Sequence, residues 1–159
     1  MTRRATPATT AAARAGIPFA IHEYEHNPGA ESYGLEAAAA LGVDPARVYK
    51  TLVVTGERGR LAVAIIPVAT RLNLKALAAA FGGKRADLAA PADAERATGY
   101  VVGGISPLGQ RKRLPTVVDA GVLAHETVYV SAGRRGLELE LAPADLIALT
   151  GATTAPIAQ

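Results

Sequence analysis

Tyr49-Lys50-Thr51-Leu52-Val53-Val54-Thr55 and, beyond a polar turn at 56–60, Leu61-Ala62-Val63-Ala64-Ile65-Ile66-Pro67-Val68 form the stretch on which the fold class turns. Both runs are short, apolar and rich in β-branched residues, and glycines punctuate the link between them. This pattern predicts a hairpin of two largely buried strands. Lys50 stands out within it. A lysine at the start of an apolar strand either snorkels its ammonium to water or points into a pocket, where it offers a fixed cation to a carbonyl or phosphate oxygen.

Towards the N-terminus, residues 19–25 alternate, with Phe19, Ile21 and Glu23 on one face and Ala20, His22 and Tyr24 on the other, so a strand is expected there. Asn27-Pro28-Gly29 ends it with turn chemistry. Thr6-Pro7 opens a helix, with Thr6 as N-cap and Pro7 at the first helical position, and Gly16-Ile17-Pro18 closes it. The first 18 residues carry Arg, Ala and Thr but no acid, as transit peptides do; the cap-and-proline signature favours an ordinary helix instead. An Ala-rich helix is expected at 34–41, stopped by Gly42, and Asp44-Pro45 opens a further helical turn.

Beyond the hairpin, Asn73 caps a helix at 73–81 that Gly82-Gly83 stops, and another helix follows at 91–97 with poor capping residues. Strands are expected at 100–102, 116–119 and 127–131, a half-exposed strand at 137–141, and a closing helix at 143–149. Strands and helices intermix without strict βαβ alternation. The expectation is therefore an α+β (mixed α/β) architecture, around one sheet or a partly closed barrel, with residues 1–159 forming a single domain.

Half of the 159 residues are apolar, but there is no Trp and only two Phe, so the core must be built from Ala, Val, Leu and Ile. No apolar run approaches the roughly 18 residues of a membrane helix. The absence of cysteine excludes disulfides and thiolate metal sites, and a cytoplasmic protein is the simplest reading. The net charge is only +3, yet the basic residues clump at Arg3-Arg4, Lys84-Arg85, Arg111-Lys112-Arg113 and Arg134-Arg135. Such clumps suit a phosphate-rich partner, or are solvated turns.

His22-Glu23-Tyr24-Glu25-His26 matches the H-E-x-x-H zinc-protease signature. That chemistry needs a helix. On a strand, residues four apart lie about 13 Å from each other, too far for two nitrogens each about 2 Å from one zinc. No metal site is expected, and no cofactor. Gly103-Gly104-Ile105-Ser106-Pro107-Leu108-Gly109 has neither dinucleotide-fingerprint nor P-loop spacing; it is a ligand loop or a structural turn. Gly133-Arg134-Arg135-Gly136 has the form of a KH-domain GXXG loop but sits between strands, as a tight basic turn would. Ser106 and Ser131 are conceivable nucleophiles beside Lys50, though nothing local activates either.

Several stretches together carry a resemblance. They are Thr6-Pro7-Ala8, Tyr33-Gly34-Leu35-Glu36-Ala37, Val48-Tyr49-Lys50-Thr51-Leu52, Pro67-Val68 with Leu72-Asn73-Leu74-Lys75, the run from Thr98 through Gly103-Gly104-Ile105-Ser106-Pro107 to Gln110, and the run from Val130 to Glu138. Over nearly its full length the chain resembles the YbaK/EbsC family, the Cys-tRNA(Pro) deacylases, related to the editing domain of bacterial prolyl-tRNA synthetases. The resemblance implies a mixed, partly barrel-like β-sheet surrounded by helices. It also implies hydrolysis of the ester joining cysteine to the 3′ end of tRNA(Pro), an error that arises because one pocket cannot strongly reject a near-isostere.

By the same resemblance Lys50 matches the essential lysine, and Gly103, Gly104, Ile105, Ser106 and Pro107 form the loop whose backbone cradles the aminoacyl ester. Tyr24 and Tyr33 match aromatic pocket positions, Ser131 a polar one, and Thr51 and Arg135 complete the substrate-binding set. Glu138 stands where many relatives have Asp, which keeps the charge on a longer arm. The implied mechanism is substrate-assisted: the cysteine thiol attacks its own ester, so the enzyme need only position substrate and stabilise an oxyanion. The implied partners are the tRNA(Pro) acceptor end and prolyl-tRNA synthetase, which would lend the tRNA selectivity that a chain this small lacks. The alternatives are an Ala-tRNA(Pro) deacylase that uses water, and a non-catalytic module that binds aminoacyl-tRNA or the synthetase.

Overall fold

A computed structural model of the protein describes residues 5–29 and 32–159; the Arg3-Arg4 clump lies outside them. The elements run α1 (Pro7–Ala15), β1 (Phe19–Glu23), α2 (Tyr33–Leu41), β2 (Tyr49–Thr55), β3 (Leu61–Pro67), α3 (Leu74–Ala80), β4 (Asp87–Leu88), α4 (Pro91–Thr98), β5 (Thr116–Asp119), β6 (Val128–Arg134), β7 (Leu137–Leu141), α5 (Pro143–Thr150) and β8 (Thr153–Ala155). No helix among the described residues is long and apolar enough to cross a membrane.

The expected hairpin is present, with β2 and β3 antiparallel from Tyr49–Pro67 to Thr55–Leu61. It is the centre of a five-stranded sheet in the order β4-β2-β3-β5-β8, while β1-β7-β6 form a second sheet of three. The pleat sends alternate hairpin residues to opposite faces. Tyr49, Val53, Val63 and Ile65 join the main core, with Leu137, Leu139 and Leu141 of β7, Val128 and Val130 of β6, and Ala8 and Ala12 of α1. Val54, Ala62, Ala64 and Ile66 pack on Leu77 of α3 and on Ile157. A parallel bridge from Val48 to Tyr129 ties the two sheets together. Partial closure thus takes the form of two joined sheets, and no closed barrel forms among the described residues.

Local chemistry explains the ends of the elements. Thr6 caps α1 by accepting the Thr9 N–H at 3.1 Å, and its hydroxyl donates to the Ala132 carbonyl of β6 at 2.5 Å. Ser32 caps α2 and Asn73 caps α3. Left-handed glycines stop α1, α2, α4 and α5, as residues without a β-carbon can.

Two expectations are corrected. Residues 100–102 are not a strand. The Val102 N–H goes to the Glu95 carboxylate at 2.9 Å, the Val102 carbonyl to Arg135, and the Val101 carbonyl to the Gly104 N–H. Side chains and a turn satisfy that backbone, so no ladder is needed. Nor is β7 half-exposed: it is the central strand of its sheet, and its residues are buried apart from a partly exposed Glu140, with Glu138 only 6% accessible. The short strands β4 and β8 had no sequence signal, since two or three residues cannot show a period.

Candidate functional site

A parallel bridge makes two chains advance together. From Val48 and Tyr129, two residues on along each strand are Lys50 and Ser131, on the same faces as the bridged pair. Ser131 in turn lies opposite Glu138 across the β6–β7 ladder. Strand register alone thus sets Lys50, Ser131 and Glu138 in a row where β2 and β6 leave one another. All three line a cavity of about 390 Å³, within the usual range of ligand sites.

Other elements complete the walls. Gly34 lets the start of α2 lie against Val68, because a β-carbon there would come within 2.7 Å of the Val68 Cβ; this delivers Tyr33. Tyr24 follows β1. Gly103 and Ile105 come from the loop after α4, and Thr51 and Val53 from β2. Gly103 has φ +93, and a side chain there would run into Arg135 and the Tyr33 ring. The Arg135 guanidinium lies 4.3 Å from the centre of that ring and donates to the Val102 carbonyl at 2.7 Å. It acts as a clasp between the glycine loop and α2.

Eight of the expected residues therefore line one cavity: Lys50, Gly103, Ile105, Tyr24, Tyr33, Thr51, Ser131 and Glu138. Gly104, Ser106, Pro107 and Arg135 do not. Gly104 packs its backbone on Arg134, whose Cα would sit 2.7 Å from an added β-carbon. Ser106 is fully buried, and its hydroxyl accepts the Leu108 N–H at 3.2 Å. Pro107 is buried beside it. The loop thus lines the cavity through Gly103 and Ile105 and packs inward from Ser106 onward. Sequence reasoning missed Leu88, Ala89, Pro91 and Ala94, which form the apolar end of the cavity. Their only sequence signal was the Pro91 helix start.

Ser131 accepts the Gly133 N–H at 3.2 Å, but three other polar side chains of the lining lack a hydrogen-bond partner among the described residues. The Lys50 side chain makes no hydrogen bond or ion pair among the described residues, and burial lowers its ammonium pKa. The Thr51 hydroxyl oxygen is buried with no partner. Burial alone pushes the Glu138 carboxyl up to about 8, and no described residue bonds to it. Burial also raises the nearby Tyr24 phenol. Buried polar groups are nearly always satisfied within a protein; the Thr51 Oγ1 is the buried side-chain atom left without a partner among the described residues, and with the unbonded Lys50 and Glu138 side chains on the same cavity it fits a ligand that supplies partners. It would meet a cation, a neutral acid, a hydroxyl and the loop at Gly103 and Ile105.

The zinc-like pair is divided between two carboxylates on different elements. His22, on β1, meets Glu140 at 2.9 Å, and His26, beyond the strand, meets Glu36 of α2 at 2.8 Å.

The family described as an aminoacyl-tRNA editing domain matches residues 27–149. The chain is 38% identical over 144 residues to EbsC of Enterococcus faecalis, described as a proposed Cys-tRNA(Pro)/Cys-tRNA(Cys) deacylase, covering 89% of this chain and 85% of that one. It is 27% identical over 111 residues to the uncharacterised YwhH of Bacillus subtilis, covering 70% of each. A solved structure described as a proposed trans-editing enzyme for prolyl-tRNA synthetase superposes with a TM-score of 0.86 at 27% identity, covering 100% of this chain and 99% of that one. The two-sheet fold, the cavity beside the sheet-joining bridge and these likenesses agree: the chain belongs to the aminoacyl-tRNA editing-domain family, within its YbaK/EbsC branch.

Proposed function

We propose that this protein is a trans-editing deacylase that removes cysteine wrongly esterified to tRNA(Pro). One observation carries the reading: an unpaired lysine ammonium and a glycine loop wall the same small, largely apolar cavity. That arrangement suits an ester whose carbonyl oxygen gains negative charge during cleavage. The EbsC name favours cysteine, since the cysteinyl group is common to both substrates printed in it. It leaves choice of tRNA to something else, and prolyl-tRNA synthetase is the partner we assign to that task.

The proposed step is internal to the substrate. The cysteine sulfur bonds to its own carbonyl carbon, and the bond from that carbon to the ribose oxygen breaks. The thiol proton passes to the departing hydroxyl, and a thiolactone leaves tRNA free. The chain has no cysteine of its own, and its assigned part is to hold the bent conformer and stabilise charge. Lys50 and the amides of Gly103 and Ile105 face the oxyanion. Glu138 faces the substrate α-ammonium, releasing its proton to form the ion pair. Tyr24, Tyr33, Thr51 and Ser131 fix the side chain, and Arg135 holds the rim.

The test is deacylation of Cys-tRNA(Pro), Ala-tRNA(Pro) and S-alkylated Cys-tRNA(Pro) by the purified protein. Rapid loss of cysteine alone, with resistance of the alkylated form, is expected. Equal rates with and without a free thiol would replace self-cyclisation by water attack, and no hydrolysis of any substrate would reduce the protein to a binder.

A further inference from the structure

A second cleft, of about 370 Å³, lies on the other side of edge strand β4. Ala86 lines it, while Leu88 lines the first cavity. Those two lining residues are two apart in the chain, about 7 Å of extended backbone. Val53 and Val54, neighbours on β2, likewise line one cavity each.

The second cleft has a different chemistry. Its floor is Val54, Ala62 and Ala78, and its walls carry Arg58, Arg60 and Arg85. All three arginines are exposed, and none makes an ion pair among the described residues. Glu57 is the acid in the lining, and its carboxylate is engaged by the Lys84 N–H at 3.0 Å. Arg58 has φ 59, the only non-glycine residue with positive φ among those described. An arginine is held there in a conformation that favours glycine or asparagine, an outlier of the kind that motivates a functional hypothesis. Phe81, 40% exposed at the end of α3, lies on the same wall.

Three guanidiniums and an open aromatic ring over an apolar floor fit a single nucleic-acid strand: planar forks for phosphates and a ring for a base. We propose that this cleft binds the unpaired 3′ strand of the substrate tRNA, which runs over β4 from the cavity holding the aminoacyl ester. This rests on the deacylase reading above. It divides the substrate in two: the cavity reads the amino acid, and the arginine cleft holds the strand that presents it.

The experiment has two arms. In the first, an uncharged hairpin RNA ending in a single-stranded 3′ tail is titrated against wild type and the Arg58→Ala/Arg60→Ala/Arg85→Ala variant at several salt concentrations. Weaker binding by at least tenfold is expected, with a salt slope smaller by about 0.7 for each phosphate no longer neutralised. Phe81→Ala should weaken binding of the tailed hairpin but not of a blunt one. In the second arm, the triple variant should raise KM for aminoacyl-tRNA and leave cleavage of aminoacyl-adenosine unchanged. Unaltered RNA affinity and salt slope would overturn the proposal, as would equal loss on both substrates. The binding arm does not depend on turnover, so a protein that cleaves nothing yet shows the expected RNA binding would sink only the deacylase reading. Charge reversal at Arg85 (Arg85→Glu), with thermal melts of each variant, controls for folding.

Discussion

Glu138 and Glu140 lie two residues apart on one strand and one face, yet they are opposite kinds of acid. Glu140 accepts from Thr127 at 2.5 Å, from His22 at 2.9 Å and from Arg47 at 3.4 Å. Burial pushes its pKa up, but Thr127, His22 and Tyr129 together outweigh burial and the net shift is downward. Glu138 has burial without partners, and its carboxyl rises to about 8. One end of this sheet face is closed by a satisfied polar network, which holds the sheets at the Val48–Tyr129 bridge. The other end is left unsatisfied and opens on the cavity. The contrast teaches that partner supply, more than residue type or burial, separates the polar groups that hold the fold from those that open on the cavity.

The contrast can be broken experimentally, and the largest effect is expected at Lys50. Lys50→Ala should cut deacylation by about 10²–10³ with no loss in Tm, because no bond within the protein is removed. Near-normal turnover would show that the unsatisfied end is not where the chemistry occurs.

Glu138→Gln comes next, read as stability against pH. The folded protein holds this proton up to about pH 8, whereas the unfolded chain releases it near 4.5. The unfolded state therefore binds fewer protons across that window, and Glu138 costs stability progressively as pH rises from 4.5 to 8. The Gln variant should lack this loss and gain on the order of a few kcal/mol over wild type at pH 8–9 relative to pH 5. Parallel denaturation curves for the two proteins across pH would contradict the assigned burial.

Glu140→Gln should do the reverse, destabilising by about 1–3 kcal/mol at neutral pH. A depressed carboxyl gives stability that is present above its unfolded pKa and lost as pH falls through the folded one. The penalty should therefore shrink in acid, as chemical denaturation at pH 3 and pH 7 would show. The smallest effect is expected at Ser106. Ser106→Ala removes a hydroxyl already bonded within the loop, so it should cost about 1 kcal/mol of stability and leave deacylation unchanged. A severe loss of turnover would return Ser106 to the reacting centre.

The hairpin, the α1 cap, the glycine stops and the exclusion of a helical zinc motif were all legible in the sequence, since each rests on period, capping or rise per residue within one short segment. The resemblance adds Lys50 and Gly103, which local pattern leaves open between snorkelling and pocket, and between turn and ligand loop. It also includes Ser106 and Pro107, which lie buried outside the cavity lining, because a run that matches a family motif does not reveal which half faces inward.

The sequence by itself determined the longer strands and the helices, because alternation, caps and glycines act over a few residues, but it predicted a strand at 100–102 that does not form and held no signal for β4 or β8. Tertiary structure alone decided that Lys50, Ser131 and Glu138 share one wall, that Glu138 is stripped of partners while Glu140 is not, and that Arg58 and Arg85 line one cleft. Those outcomes depend on the Val48–Tyr129 bridge and on strand register between distant segments, and pairing of that kind leaves no periodic trace in the chain.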